Sequence, residues 1–128
     1  MKQQEFSIIK RLKSFKYAFN GLKILFSEEH NSRIHILATI CVLTAGYFLK
    51  ISIHEWIAVI FAIGFVIAFE IFNSAIENIA DFVSPEKHEK IKKIKDLSAA
   101  GVLISAITSL IIGLIIFMPK IIELCLKF

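Results

Sequence analysis

Three apolar stretches, Ile34 to Leu49, Trp56 to Ile79 and Leu97 to Met118, occupy nearly half of a chain of only 128 residues. A globule of this size has no interior large enough to hide so much apolar surface. With 25 isoleucines, 12 phenylalanines and a mean hydropathy of +0.71, an ordinary soluble enzyme, a disordered tail and a nucleic-acid-binding basic domain are all excluded. A membrane protein remains. A spanning helix needs about 20 residues, with roughly 17–25 usual. The second and third stretches reach that length unaided, and the first does so when Arg33 and Lys50 snorkel to the two interfaces. The expectation is an all-α, polytopic membrane protein of one domain, 1–128, with an interfacial segment at 1–32. Spans are expected at 33–50, 54–82 and 96–118, with a cytoplasmic connection at 84–95. Tyr47 and Trp56 flank the first connection, where amphipathic rings favour the interface, and Lys50 to Glu55 reads as a tight hairpin.

The net charge of +4 is informative through its placement. Twelve of the 15 Lys and Arg residues precede the first span or lie between the second and third; only Lys50, Lys120 and Lys127 fall on the other side. Such asymmetry predicts a cytoplasmic N-terminus and an outside C-terminus. The opening MKQQEFSIIKRLK has neither an uninterrupted apolar core nor a small-residue cleavage site, so no signal peptide is expected. Cys41 and Cys125 have no metal-ligand spacing and form no disulfide framework.

Before the first span, Ile8, Leu12, Phe15, Phe19, Leu22 and Phe26 recur at intervals of 4 and 3. At helical pitch they share an arc of about 80°. Lys10, Lys13, Lys16 and Lys23 occupy the remaining surface, so this amphipathic helix is suited to an anionic membrane interface. Packing on the spans is the other reading, and both can hold. Ser84-Pro85 reads as a helix start, with Ser as N-cap and Pro in the first turn. Glu86 to Ile94 then forms a short cytoplasmic helix or turn. Gly101, Ser105, Ser109 and Gly113, each four apart, offer a face on which another helix can approach closely.

The second span carries polar residues that lipid does not tolerate cheaply. Glu70, Asn73, Ser74, Glu77 and Asp81 fall within an arc of about 100°. The stripe runs from the inner leaflet at Glu70 to the cytoplasmic surface at Asp81. A carboxylate within a span costs several kcal/mol, roughly 3 or more, and is a functional candidate by default. A solvated helix end would account for Glu77 and Asp81 but not for Glu70 and Asn73. Interhelical hydrogen bonding suits Asn and Ser better than two Glu. No phosphate loop, nucleophile elbow, zinc-protease motif or dinucleotide fingerprint occurs. Instead, acids lie on both sides of the cytoplasmic interface: Glu28 and Glu29 before the first span, Glu70 and Glu77 in the second, and Asp96 before the third, with Lys95 beside it. Carboxylates with basic neighbours suit Mg²⁺ and phosphates, pointing to phosphoryl transfer at the membrane surface.

The run Glu70-Ile-Phe-Asn73-Ser-Ala-Ile-Glu77-Asn-Ile-Ala-Asp81, then Ser-Pro-Glu86-Lys-His88-Glu89 and Lys95-Asp96-Leu-Ser-Ala-Ala, resembles the prokaryotic diacylglycerol kinase and undecaprenol kinase family. Phe15-Lys-Tyr17-Ala-Phe-Asn-Gly21 and Glu29-His-Asn31-Ser-Arg33-Ile-His35 extend the resemblance upstream. It covers about Lys10 to Ile107. It implies a homotrimeric kinase of the bacterial inner membrane, using MgATP, with active sites shared between subunits. By this resemblance Glu70 would be the general base toward the lipid hydroxyl, Asn73 would order the catalytic centre, and Glu29 and Glu77 would hold Mg²⁺. Lys10, Tyr17, Glu86, Lys87, His88, Lys95 and Asp96, with Glu29 and Glu77, would contact ATP. Trp56, Glu70 and Ser98 would meet the lipid. Asn31-x-Arg33-Ile-His35 and Glu55-Trp56 look more like the undecaprenol kinase branch, so undecaprenol is the expected lipid alcohol and diacylglycerol the alternative. A small helical membrane scaffold or acidic-lipid sensor is the non-enzymatic alternative.

Overall fold

The computed structural model describes residues 7–128 and folds them into four helices, α1 (Ile8–Glu28), α2 (His30–Phe48), α3 (Ile53–Val83) and α4 (Glu89–Leu126). Lys2 and the first part of the expected 1–32 segment lie outside the described residues. The Ser7 hydroxyl caps α1 by accepting from the Lys10 N–H. Along α1 the apolar stripe splits in two. Ile8, Leu12, Phe15 and Phe19 are exposed, whereas Leu22 and Phe26 are half-buried beside the buried Leu25. Packing on the bundle therefore describes only the last turns, and the first part of the stripe is left uncovered.

One residue, Glu29, joins α1 to α2, its backbone extended at φ −100° and ψ 115°. Buried Ser32 clasps this corner: its hydroxyl lies 2.6 Å from the Glu29 carbonyl and 3.0 Å from that of Leu25. The Leu25 carbonyl, which already accepts from the Glu29 N–H at 3.0 Å, thus takes a second donor. The corner sets where the Glu29 side chain emerges.

The α2–α3 hairpin is as tight as expected. Ile51 N–H donates to the Gly46 carbonyl and Lys50 N–H to that of Tyr47, the paired bonds of a Schellman ending. Lys50 holds the left-handed position at φ 54°. Gly46 lies against Trp56 so closely that an added Cβ would stand 2.8 Å from the ring. Ser52 and Glu55 then form a capping box that starts α3, satisfying free N–H groups reciprocally. Lys120 of α4 reaches Glu55 at 3.2 Å. Ile51, Val59 and Ile116, packed with Val42, Trp56 and Phe117, make the core at this end.

Helices α3 and α4 form the main pair. Ser105 is fully buried, Ser109 donates to the Ala62 carbonyl at 3.1 Å, and Gly101 leaves room for the Phe69 ring. The small-residue face works as expected at these three positions, while Gly113 opens onto a cavity. Both helices are long and apolar enough to cross a membrane, and most of their apolar surface faces outward. Helix α2 spends its first turn on His30, Asn31, Ser32 and Arg33, so its apolar portion is shorter.

The expected helix start at Ser84-Pro85 is corrected. Ser84 instead ends α3, and its hydroxyl donates to the Glu86 carbonyl. The α4 N-cap is His88, whose Nδ1 accepts from the Lys90 N–H at 3.1 Å. The residue before proline is held out of helical conformation, which ends α3 at Ser84, and the His88 ring four residues later supplies the cap from which α4 starts. No separate helix spans Glu86 to Ile94, because α4 runs unbroken from Glu89 through the basic segment and past Pro119.

Candidate active site

Glu70 lies in the middle of α3, and only 5% of its surface is exposed. It faces a cavity of about 310 Å³ bounded by Leu25, Phe26, Ser32, His35, Ile36 and Ile67, among others. The walls are almost wholly apolar. Nε2 of His35 stands 2.8 Å from Oε1 of Glu70. Nevertheless, Oε1 is buried without a hydrogen bond of good geometry. The separation is short enough for an ion pair. A second cavity, of about 390 Å³, begins at His35 and continues between α2, α3 and α4 past Val59 and Ala62 to Phe117.

One turn along the stripe, Asn73 accepts from the Ser98 hydroxyl at 2.7 Å, joining α3 to α4. Ser74 donates to the Glu29 carboxylate at 3.3 Å, joining α3 to the α1–α2 corner. Glu77 follows Ser74 by one helical turn and remains half-buried. Lys95 binds the Asp81 carboxylate; that hydrogen bond outweighs the opposing desolvation and, with the charges of Asp81 and Glu77, holds the ammonium above its ordinary pKa. Lys92 similarly meets Asp96 one turn away on α4.

The α3–α4 loop and the start of α4 enclose a third cavity, about 500 Å³, lined by Glu86, Lys87, His88, Lys95 and Asp96 together with Asp81. This chemistry, cationic and carboxylate groups around a water-facing hollow, suits a charged phosphate ligand. Among the described residues no three or more His, Cys, Asp or Glu side chains converge as a complete metal cage. Ser74 draws the Glu29 carboxylate to α3 one helical turn before Glu77, so the carboxylates available on this stripe number one or two, the number with which Mg²⁺ is commonly held alongside substrate phosphates.

Residues 16–117 match the prokaryotic diacylglycerol kinases. The chain belongs to the prokaryotic diacylglycerol kinase family. Membership makes it a lipid kinase, a transferase of lipid metabolism at the membrane, in keeping with its two long apolar helices. It is 37% identical to the undecaprenol kinase of Bacillus subtilis (strain 168) over 108 residues, covering 84% of this chain and 88% of that one. The diacylglycerol kinase of Haemophilus influenzae (strain ATCC 51907 / DSM 11121 / KW20 / Rd) is 32% identical over 83% of this chain and 91% of its own. That of Escherichia coli (strain K12) is 29% identical over 78% and 82% respectively.

Against this family, the geometry sorts the residues singled out from sequence. Glu86, Lys87, His88, Lys95 and Asp96 share one cavity; Asn73 and Ser98 touch; Glu29 is drawn to the α3 stripe. Lys10 and Tyr17 line none of these hollows and are exposed on α1. Trp56 stands at the other end of α3, about 21 Å from Glu70 along the helix, and packs on the hairpin. Spacing alone does not assign the partners His35 beside Glu70, Ser74 beside Glu29, Asp81 beside Lys95 and Lys92 beside Asp96. A histidine one residue into the apolar run that starts at Ile34 is the available signal for the first.

Proposed function

We propose that this family member transfers the γ-phosphoryl group of ATP to the hydroxyl of a membrane lipid alcohol, undecaprenol in preference to diacylglycerol. The observation that carries the reading is Glu70: a carboxylate buried at the wall of an apolar cavity, on the same helical stripe that meets Glu29 and points toward the charged hollow. An alcohol is a poor nucleophile at neutral pH, and a positioned base both removes the proton and directs attack. Glu70 takes that proton, and Asn73, bound to Ser98, orders the adjoining turn. The lipid meets Glu70 and Ser98, with Trp56 farther along α3. Glu86, Lys87, His88, Lys95 and Asp96 receive the nucleotide, joined by Glu29, Glu77 and, from α1, Lys10 and Tyr17.

Glu29 and Glu77 would hold Mg²⁺. When bound, the cation offsets negative charge on the phosphate oxygens. Helix α2 serves as a third span, with the N-terminus cytoplasmic and the C-terminus outside, in the inner membrane. The assembly is a homotrimer, which would bring Lys10 and Tyr17 of one subunit toward a neighbour's charged hollow. The higher identity to an undecaprenol kinase supports undecaprenol over the diacylglycerol reading. Supplying labelled ATP and Mg²⁺ to membranes containing the protein, with undecaprenol and diacylglycerol in separate reactions, tests both substrates. Labelled undecaprenyl phosphate is the expected major product; labelled phosphatidic acid alone overturns the substrate choice, and no labelled lipid overturns the activity.

A further inference from the structure

Glu70 presents an unresolved problem in its own surroundings. Its Oε1 is buried, lacks a well-aligned hydrogen bond, and faces an apolar cavity. Such a group is costly unless something compensates it. The polar side chain in pairing distance is His35, at 2.8 Å through Nε2. An ionised carboxylate and a bare ring nitrogen would direct lone pairs at each other at this distance, so a proton must lie between them. His35 arrives from a different helix, α2, and lines both the Glu70 cavity and the longer one between α2, α3 and α4. It therefore stands at the junction of the apolar space and the buried acid.

We infer that His35 is the positioning residue for Glu70: Nε2–H donates toward Oε1, fixes the carboxylate, and leaves the second oxygen free to take the hydroxyl proton of the lipid. The inference rests on Glu70 being the base. In the reaction the lipid O–H bond breaks and its proton moves to Glu70. The lipid oxygen forms its bond to the γ-phosphorus, and the bond from that phosphorus to the bridging oxygen breaks, leaving ADP. His35 keeps its own proton throughout. Its role corresponds to an orienting partner behind a reacting group, whose loss disturbs geometry without removing the chemistry.

Three variants in the full-length, detergent-reconstituted protein test the assignment, with kcat and the KM values for lipid and MgATP measured separately. His35→Leu removes the donor and should lower kcat by roughly 10–100-fold, the range seen when an orienting partner is lost, with both KM values changed little. His35→Gln can place an amide N–H near the position of Nε2 and should recover most of kcat; His35→Asn, whose amide falls short, should not. Equal activity of the Gln and Asn variants overturns the inference, and this comparison stands even when His35→Leu fails to assemble. A rise in lipid KM at unchanged kcat also overturns it, since His35 would then be a lipid contact. Nitrogen-15 NMR of the imidazoles, with the His35 signal assigned by its loss in His35→Gln, gives a readout independent of turnover: Nε2 should carry the proton, and a bare Nε2 overturns the inference. Glu70→Gln serves as the separate control. Should it remain active, the base reading fails; should it be inactive while His35→Leu turns over normally, only the role of His35 fails.

Discussion

The Ser74 hydroxyl donates to the Glu29 carboxylate at 3.3 Å, across 45 residues of chain. That contact ties the single extended residue between α1 and α2 to the polar stripe of α3. Ser32 fixes the same corner from behind by binding the Glu29 and Leu25 carbonyls. The result is a carboxylate held against α3 at the level between buried Glu70 and half-buried Glu77.

On the proposed assignment, Glu29→Gln and Glu77→Gln each weaken the Mg²⁺ dependence of turnover, because a neutral amide does not offset the cation's charge. Raising Mg²⁺ restores part of the activity. Titrating Mg²⁺ against lipid phosphorylation checks this; wild-type half-saturation in both variants would remove these residues from the metal site.

Glu70→Gln keeps size and hydrogen-bonding capacity while removing basicity. Lipid phosphorylation should fall by about 10²–10⁴, the usual range for general-base catalysis, while MgATP binding survives. Turnover near wild type would reassign Glu70 to packing or positioning.

Gly46→Ala should destabilise the hairpin by about 1–3 kcal/mol, the common cost of overpacking. The new Cβ would stand 2.8 Å from the Trp56 ring and 3.1 Å from the Ile51 side chain. Thermal unfolding in detergent would show a lower midpoint. In the surviving folded fraction the KM for MgATP should be unchanged, since the charged hollow lies at the opposite end of α3 and α4, while displacement of Trp56 would show in the KM for lipid. An unchanged midpoint would mean that Trp56 swings aside freely.

A reporter fused after Phe128 should be found outside, and one inserted between Pro85 and Lys90 in the cytoplasm. Detection of both on the same side would contradict an odd number of crossings between them, and with it the reading of α4 as a single span.

The sequence by itself determined whatever depends on local spacing. Apolar length announced α3 and α4, the 4 and 3 intervals announced α1, and helical periodicity put Glu70, Asn73, Ser74, Glu77 and Asp81 on one stripe. These follow from backbone pitch and from the cost of exposing or burying side chains, which act without knowledge of distant residues. Packing decided the rest. Two caps competed to start α4, and His88 prevailed over Ser84. The meetings of Glu70 with His35, Glu29 with Ser74 and Asn73 with Ser98 each join two different helices or the corner between them. Periodicity states which face a residue occupies but not which neighbour arrives there; that depends on the bend at Glu29, the hairpin at Lys50 and the close approach at Gly101.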